Sequence, residues 1–122
     1  MAIRVLLVDD DPDFLRSIRQ FLEVDRLAEV VGSARSSHEA LGAVRQLQPD
    51  LVLMDIVMPD MSGLETTRLI KAQPAAPRVV LLTLHDDVAY RHEAEEIHAD
   101  GFVSKSEAGV ELLAVIHNLF EV

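Results

Sequence analysis

Residues 51–55 read LVLMD, four apolar residues without polar alternation, closed by an acid at Asp55. So short and uniformly apolar a run suits a strand whose sheet is covered on both faces, as in a parallel sheet between helices. Outward from it the same signature recurs in IRVLLV (Ile3–Val8) and VVLLT (residues 79–83), and more weakly in EVVGSA (residues 29–34) and GFVS (Gly101–Ser104). Amphipathic stretches lie between these runs. Phe14, Leu15, Ile18, Phe21 and Leu22 share one helical face, as do Ala40, Leu41, Val44 and Leu47. Leu64, Thr67 and Ile70 make a shorter stripe, and Val110, Leu113, Ile116 and Phe120 make the last. Residues 87–99 offer only Val88, Ala94 and Ile97 among many charges, which predicts the least firmly packed helix. Start signals agree: Asp11 before Pro12 reads as N-cap and first helical residue, while Ser36 with Glu39 and Ser62 with Glu65 each match a capping box. Strand and helix alternating five times predict an α/β chain, a single doubly wound (βα)5 domain over residues 1–122 with helices on both faces of a parallel sheet.

Composition narrows the function. The chain has 122 residues, enough to bury a core. Cysteine is absent, which removes disulfides, thiolate metal sites and thiol catalysis. No run approaches the ~20 apolar residues that span a bilayer, and MAIRVLLVDDDP lacks a secretory pattern, so the sequence predicts a cytoplasmic protein that does not enter membranes. A net charge of −10 repels phosphate backbones, so no direct binding of nucleic acid by this domain is expected.

In doubly wound sheets ligands bind beyond the carboxyl ends of the strands. Asp9, Asp10 and Asp11 follow the first strand, Asp55 the third, Thr83 ends the fourth and Lys105 follows the fifth. Carboxylates gathered on one rim repel one another unless a cation joins them. Oxygen ligands without nearby histidine or cysteine favour a hard ion such as Mg²⁺, with lysine and hydroxyl left to hold phosphoryl oxygens. That set suits phosphoryl transfer onto a carboxylate. Asp11 is accounted for by capping and Asp60 by shaping a turn; His85 reads as a loop histidine, and Met54, Met58 and Met61 as core or loop filler.

The strings LLVDDDP, LVLMDIVMPDMSG, VVLLTLHD and DGFVSKS closely resemble, in order and spacing, the four signature regions of response-regulator receiver domains of two-component signalling. The resemblance implies a flavodoxin-like sheet in the order 2-1-3-4-5. It implies that Asp55 is the phosphoacceptor, taking the group from the phosphohistidine of a sensor histidine kinase. It further implies that Asp10 binds Mg²⁺ directly, Asp9 largely through water, and the Val57 backbone carbonyl as a further ligand. Lys105 would contact one phosphoryl oxygen and Thr83 another, and Phe102 would be the aromatic switch residue. Pro59 and Gly63 match the turn after the acceptor. Such a protein is a phosphoprotein rather than an enzyme in the usual sense. Phosphorylation would switch the face of the fourth helix, fifth strand and fifth helix, with a homodimer among the outcomes.

Some positions depart from the pattern. Ser106 stands where the family commonly has a cis proline, Leu84 where alanine is common, and Val57 supplies no polar side chain to guide water, which predicts slow loss of the phosphoryl group, over hours rather than seconds. A haloacid dehalogenase-type aspartyl phosphatase is the main alternative, but it needs an acid at the Val57 position; a pseudo-receiver serving only as an interaction module would not need the intact acids. GLETTRLI and LLTLHDD look most like receivers of the NarL/LuxR type, which usually precede a helix-turn-helix DNA-binding domain. That output, control of transcription, is expected although no such domain follows within these residues.

Overall fold

The computed structural model describes residues 2–84 and 88–122. Five parallel strands, β1 (Ile3–Val8), β2 (Ala28–Ala34), β3 (Leu51–Asp55), β4 (Arg78–Thr83) and β5 (Gly101–Ser104), form one sheet in the order β2-β1-β3-β4-β5. The helices are α1 (Pro12–Glu23), α2 (Ser37–Leu47), α3 (Gly63–Lys71), α4 (Val88–Glu96) and α5 (Ala108–Phe120). Among the described residues no helix is long and apolar enough to cross a membrane.

The period of two along each strand divides the core into two layers. Val5, Leu7, Leu51, Leu53, Val80 and Leu82 pack on one face against Ile18 and Leu22 of α1 and Leu112 and Ile116 of α5. Leu6, Val8, Val52, Met54, Val79 and Leu81 face the opposite way, toward α2, α3 and α4. Each central strand therefore needs apolar residues at successive positions, the reason for its unbroken run. Chain order reverses between β1 and β3, and the crevice this opens lies beyond Val8 and Asp55.

Several expectations need correction. Val110 is 79% exposed and lies outside the apolar stripe of α5; Ala108, Leu112 and Ile116 are the buried residues. Val88 is 82% exposed, and α4 packs instead through Ala94 with half-buried Tyr90. That helix ends at Glu96, so Ile97 lies beyond it; its expected first residue, Asp87, falls outside the described residues. The expected box at Ser62 is half formed: Ser62 Oγ accepts from Leu64 N–H, while Glu65 pairs with Arg68. At α2, Ser36 Oγ does accept from Glu39 N–H.

Candidate functional site: an acidic crevice with one lysine

Asp9 leaves β1 still in register, its N–H bonded to Ala34 O at 3.0 Å. Its side chain is buried: Oδ1 accepts from Asp11 N–H at 2.9 Å and Oδ2 from Lys105 Nζ at 2.6 Å. Asp10 is exposed at the lip of the crevice. Asp11 caps α1 by accepting from Asp13 N–H, the structural role read from Pro12. Asp55 is the last residue of β3 and only 5% exposed. Oxygens of Asp9, Asp10 and Asp55 all lie within 4.8 Å of one another.

Lys105 begins a one-turn 3₁₀ helix (Lys105–Glu107) directly after β5. Its Nζ lies 3.3 Å from Asp55 Oδ1 as well as against Asp9, and its side chain is only 8% exposed. The bond joining it to Ser106 is trans, like every other peptide bond among the described residues. Thr83 closes β4, buried, one residue past the partner of Asp55 in the β3–β4 register. A pocket of about 200 Å³ opens onto Asp55, lined by Asp10, Asp11, Val57, Leu84 and Lys105. Val57 and Leu84 are 58% and 71% exposed, so the rim opposite the acids is apolar. A larger cleft of about 350 Å³, beside Arg45, Gln48 and Pro74, sits at the other end of the sheet without any of these groups.

Burial raises the Asp55 carboxyl to a pKa of about 6, helped by the charge of Asp9 and more weakly by Asp10, while Lys105 opposes the shift. Three carboxylates against one ammonium leave two negative charges, which a divalent cation would balance.

The β3–α3 loop is anchored by groups that no periodicity reveals. Asp60 does more than shape its turn: its carboxylate accepts from Ser37 and His38 N–H at the start of α2 as well as from Met61 N–H. Those bonds hold its pKa below the usual carboxylate range. Ser37 Oγ donates to Met61 O, and Thr66 Oγ1 lies 2.6 Å from Ser37 Oγ. Gly63 lets α3 approach the end of β3: a Cβ there would stand 1.9 Å from Asp55 O. Phe102 is half-buried on β5, with the Arg91 guanidinium 4.5 Å from its ring centroid. Met54 is core, and Met58 and Met61 are half-buried. His85 lies outside the described residues.

Residues 5–117 match the family model of the response regulator receiver domain. The chain belongs to that family. This receiver is 34% identical, over 99% of its length, to the response regulator protein VraR of Staphylococcus epidermidis and covers 58% of that protein. It is 34% identical over 96% of its length to the transcriptional regulatory protein MctR of Rhizobium johnstonii, covering 55%. A LuxR-family two-component response regulator from an Aurantimonas species superposes with a TM-score of 0.93 at 33% identity, covering 99% of this chain and 86% of that one. The receiver thus spans little more than half the length of the two relatives, and its likeness to a LuxR-family regulator agrees with the type read from GLETTRLI.

Proposed function

We propose that this receiver accepts a phosphoryl group on Asp55 in a Mg²⁺-dependent step and that the aspartyl phosphate switches an output. One observation carries the reading: carboxylates from the ends of β1 and β3 converge within 4.8 Å around a buried acid that already faces a lysine. Asp10 and Asp55 would hold the ion with the Val57 carbonyl, and Asp9, bonded to Lys105 and the Asp11 N–H, would reach it through water. When bound, the ion would supply charge neutralisation for the gathered carboxylates and the incoming phosphoryl group.

An Asp55 oxygen attacks phosphorus in line as the P–N bond of a kinase phosphohistidine breaks, and the leaving imidazole keeps that electron pair and takes a proton. The ammonium of Lys105 stabilises charge on one phosphoryl oxygen, and the Thr83 hydroxyl donates to another. Oxyanion contacts of this kind are worth a few kcal/mol, enough to raise a state of ~1% to the majority. Thr83 and Phe102 would couple that gain to the face of α4, β5 and α5, where an output domain or a second copy reads it. Kinship with a LuxR-family regulator supports transcription as the output, through a DNA-binding domain outside these residues. The apolar rim of Val57 and Leu84 offers no group to orient attacking water, which supports a long-lived phosphoryl group in this cytoplasmic reading.

Acetyl phosphate with Mg²⁺, read by intact mass, tests the assignment. The wild type gains about 80 Da per phosphoryl group, and Asp55→Asn gains nothing. Label that persists in the variant overturns it. Multiple turnover of a phosphate ester would instead favour the dehalogenase-type phosphatase.

A further inference from the structure

Phe14 stands in the first turn of α1, half-buried, and the core it joins accounts for its being apolar. It does not account for the ring's other neighbour. Lys105 Nζ lies 4.3 Å from the Phe14 ring centroid. The same nitrogen is 2.6 Å from Asp9 Oδ2 and 3.3 Å from Asp55 Oδ1. The ammonium is therefore held between carboxylates and an aromatic face, with its side chain 8% exposed.

The negative face of a ring attracts a cation, more strongly where water is excluded. A ring also differs from the carboxylates in carrying no net charge. Once Asp55 forms an acyl phosphate, one of its carboxylate oxygens is joined to phosphorus in a mixed anhydride, and Lys105 would face a phosphoryl oxygen in place of a free carboxylate. The ring contact itself requires neither Asp55 nor the ion. A charge that is dry and already aimed stabilises developing negative charge better than one free to hydrate and reorient.

We propose that Phe14 is a positioning residue, whose ring face holds the Lys105 ammonium where an incoming phosphoryl group requires positive charge. This rests on the reading of Asp55 as phosphoacceptor and adds to it a group outside the acidic cluster.

Mono-, di- and trifluorinated phenylalanines placed at position 14 remove electron density from the ring face while scarcely altering its shape. Two quantities are read. In metal-free protein, the ε-methylene protons of Lys105 should be shifted upfield by the ring, and the shift should vanish in Phe14→Leu. The rate of labelling by acetyl phosphate should fall stepwise with fluorination, roughly threefold to tenfold across the series. Melting temperatures should stay level, and in Lys105→Ala the dependence should disappear. Packing alone would produce no stepwise trend. Normal labelling with a flat series, or unshifted Lys105 protons in the wild type, overturns the proposal. A wild type that takes no label sinks the acceptor reading and this inference with it.

Discussion

Removing the charge of Asp55, the proposed acceptor, should make the metal-free protein more stable. Asp55 sits buried beside Asp9, with Asp10 adding to the repulsion, and these raise its pKa from 3.8 to about 6 against the pull of Lys105. The native state thus prefers the proton by about two pH units, or about 3 kcal/mol. The open mouth of the pocket lets water screen part of this, so about 1–2 kcal/mol is expected in Asp55→Asn at pH 7.5. At this chain length that is a rise of roughly 3–8 °C in melting temperature. The sign follows from the raised pKa: below about pH 4 folded and unfolded chains both carry the proton, and Asp and Asn are equivalent. Between about pH 4 and pH 6 the unfolded chain ionises first, so wild-type stability falls as pH rises, and above about 6 the cost is complete. Urea denaturation in EDTA at both ends of this range measures the difference. Saturating Mg²⁺ should reverse the order, since a ligand at a hundred times its Kd adds about 2.7 kcal/mol to the protein that binds it. If Asp55→Asn is less stable than wild type at pH 7.5 without metal, attraction to Lys105 outweighs the carboxylate repulsion and the charge account fails.

Mg²⁺ binding should weaken by about tenfold per pH unit once pH drops below about 6, because Asp55 must lose its proton to become a ligand; calorimetric titration showing constant affinity from pH 7 to pH 5 (about one decade expected) would exclude Asp55 from the site. Gly63→Ala should cost about 3 kcal/mol or more, since its Cβ would meet the Asp55 carbonyl at 1.9 Å, and it should slow labelling by displacing the acceptor; unchanged denaturation and labelling would mean that α3 gives way freely. Thr67 Oγ1 is buried without a hydrogen-bond partner among the described residues, so Thr67→Val should gain about 1 kcal/mol in urea denaturation; a loss of stability would point to a partner for that hydroxyl.

The sheet and the acidic cluster were legible because each depends on local chemistry repeated along the chain. Apolar runs mark β1 (broken only by Arg4), β3 and β4, covered on both faces, and the acids stand where the first two of these stop. Helix faces were harder. The 3₁₀ turn at Lys105–Glu107 precedes α5, and the inward phase falls on Ala108, Leu112 and Ile116 rather than on Val110. On α4 the burial of one small residue, Ala94, does what a wider stripe does elsewhere. The anchoring of the β3–α3 loop was invisible for another reason. Asp60 with Ser37 and His38, and Ser37 with Met61 and Thr66, join side chains to distant backbone and hydroxyl groups, and no period connects them. Phe14 reads as core in sequence and is core; only folding brings Lys105 against its ring.

A crystal structure with Mn²⁺ and beryllofluoride, read by anomalous scattering, tests the central arrangement most directly. The account predicts one ion between Asp10, Asp55 and the Val57 carbonyl, with the fluoroberyllate on Asp55 and a fluorine within reach of Lys105 Nζ. Metal bound elsewhere, or beryllofluoride on a different carboxylate, would contradict it.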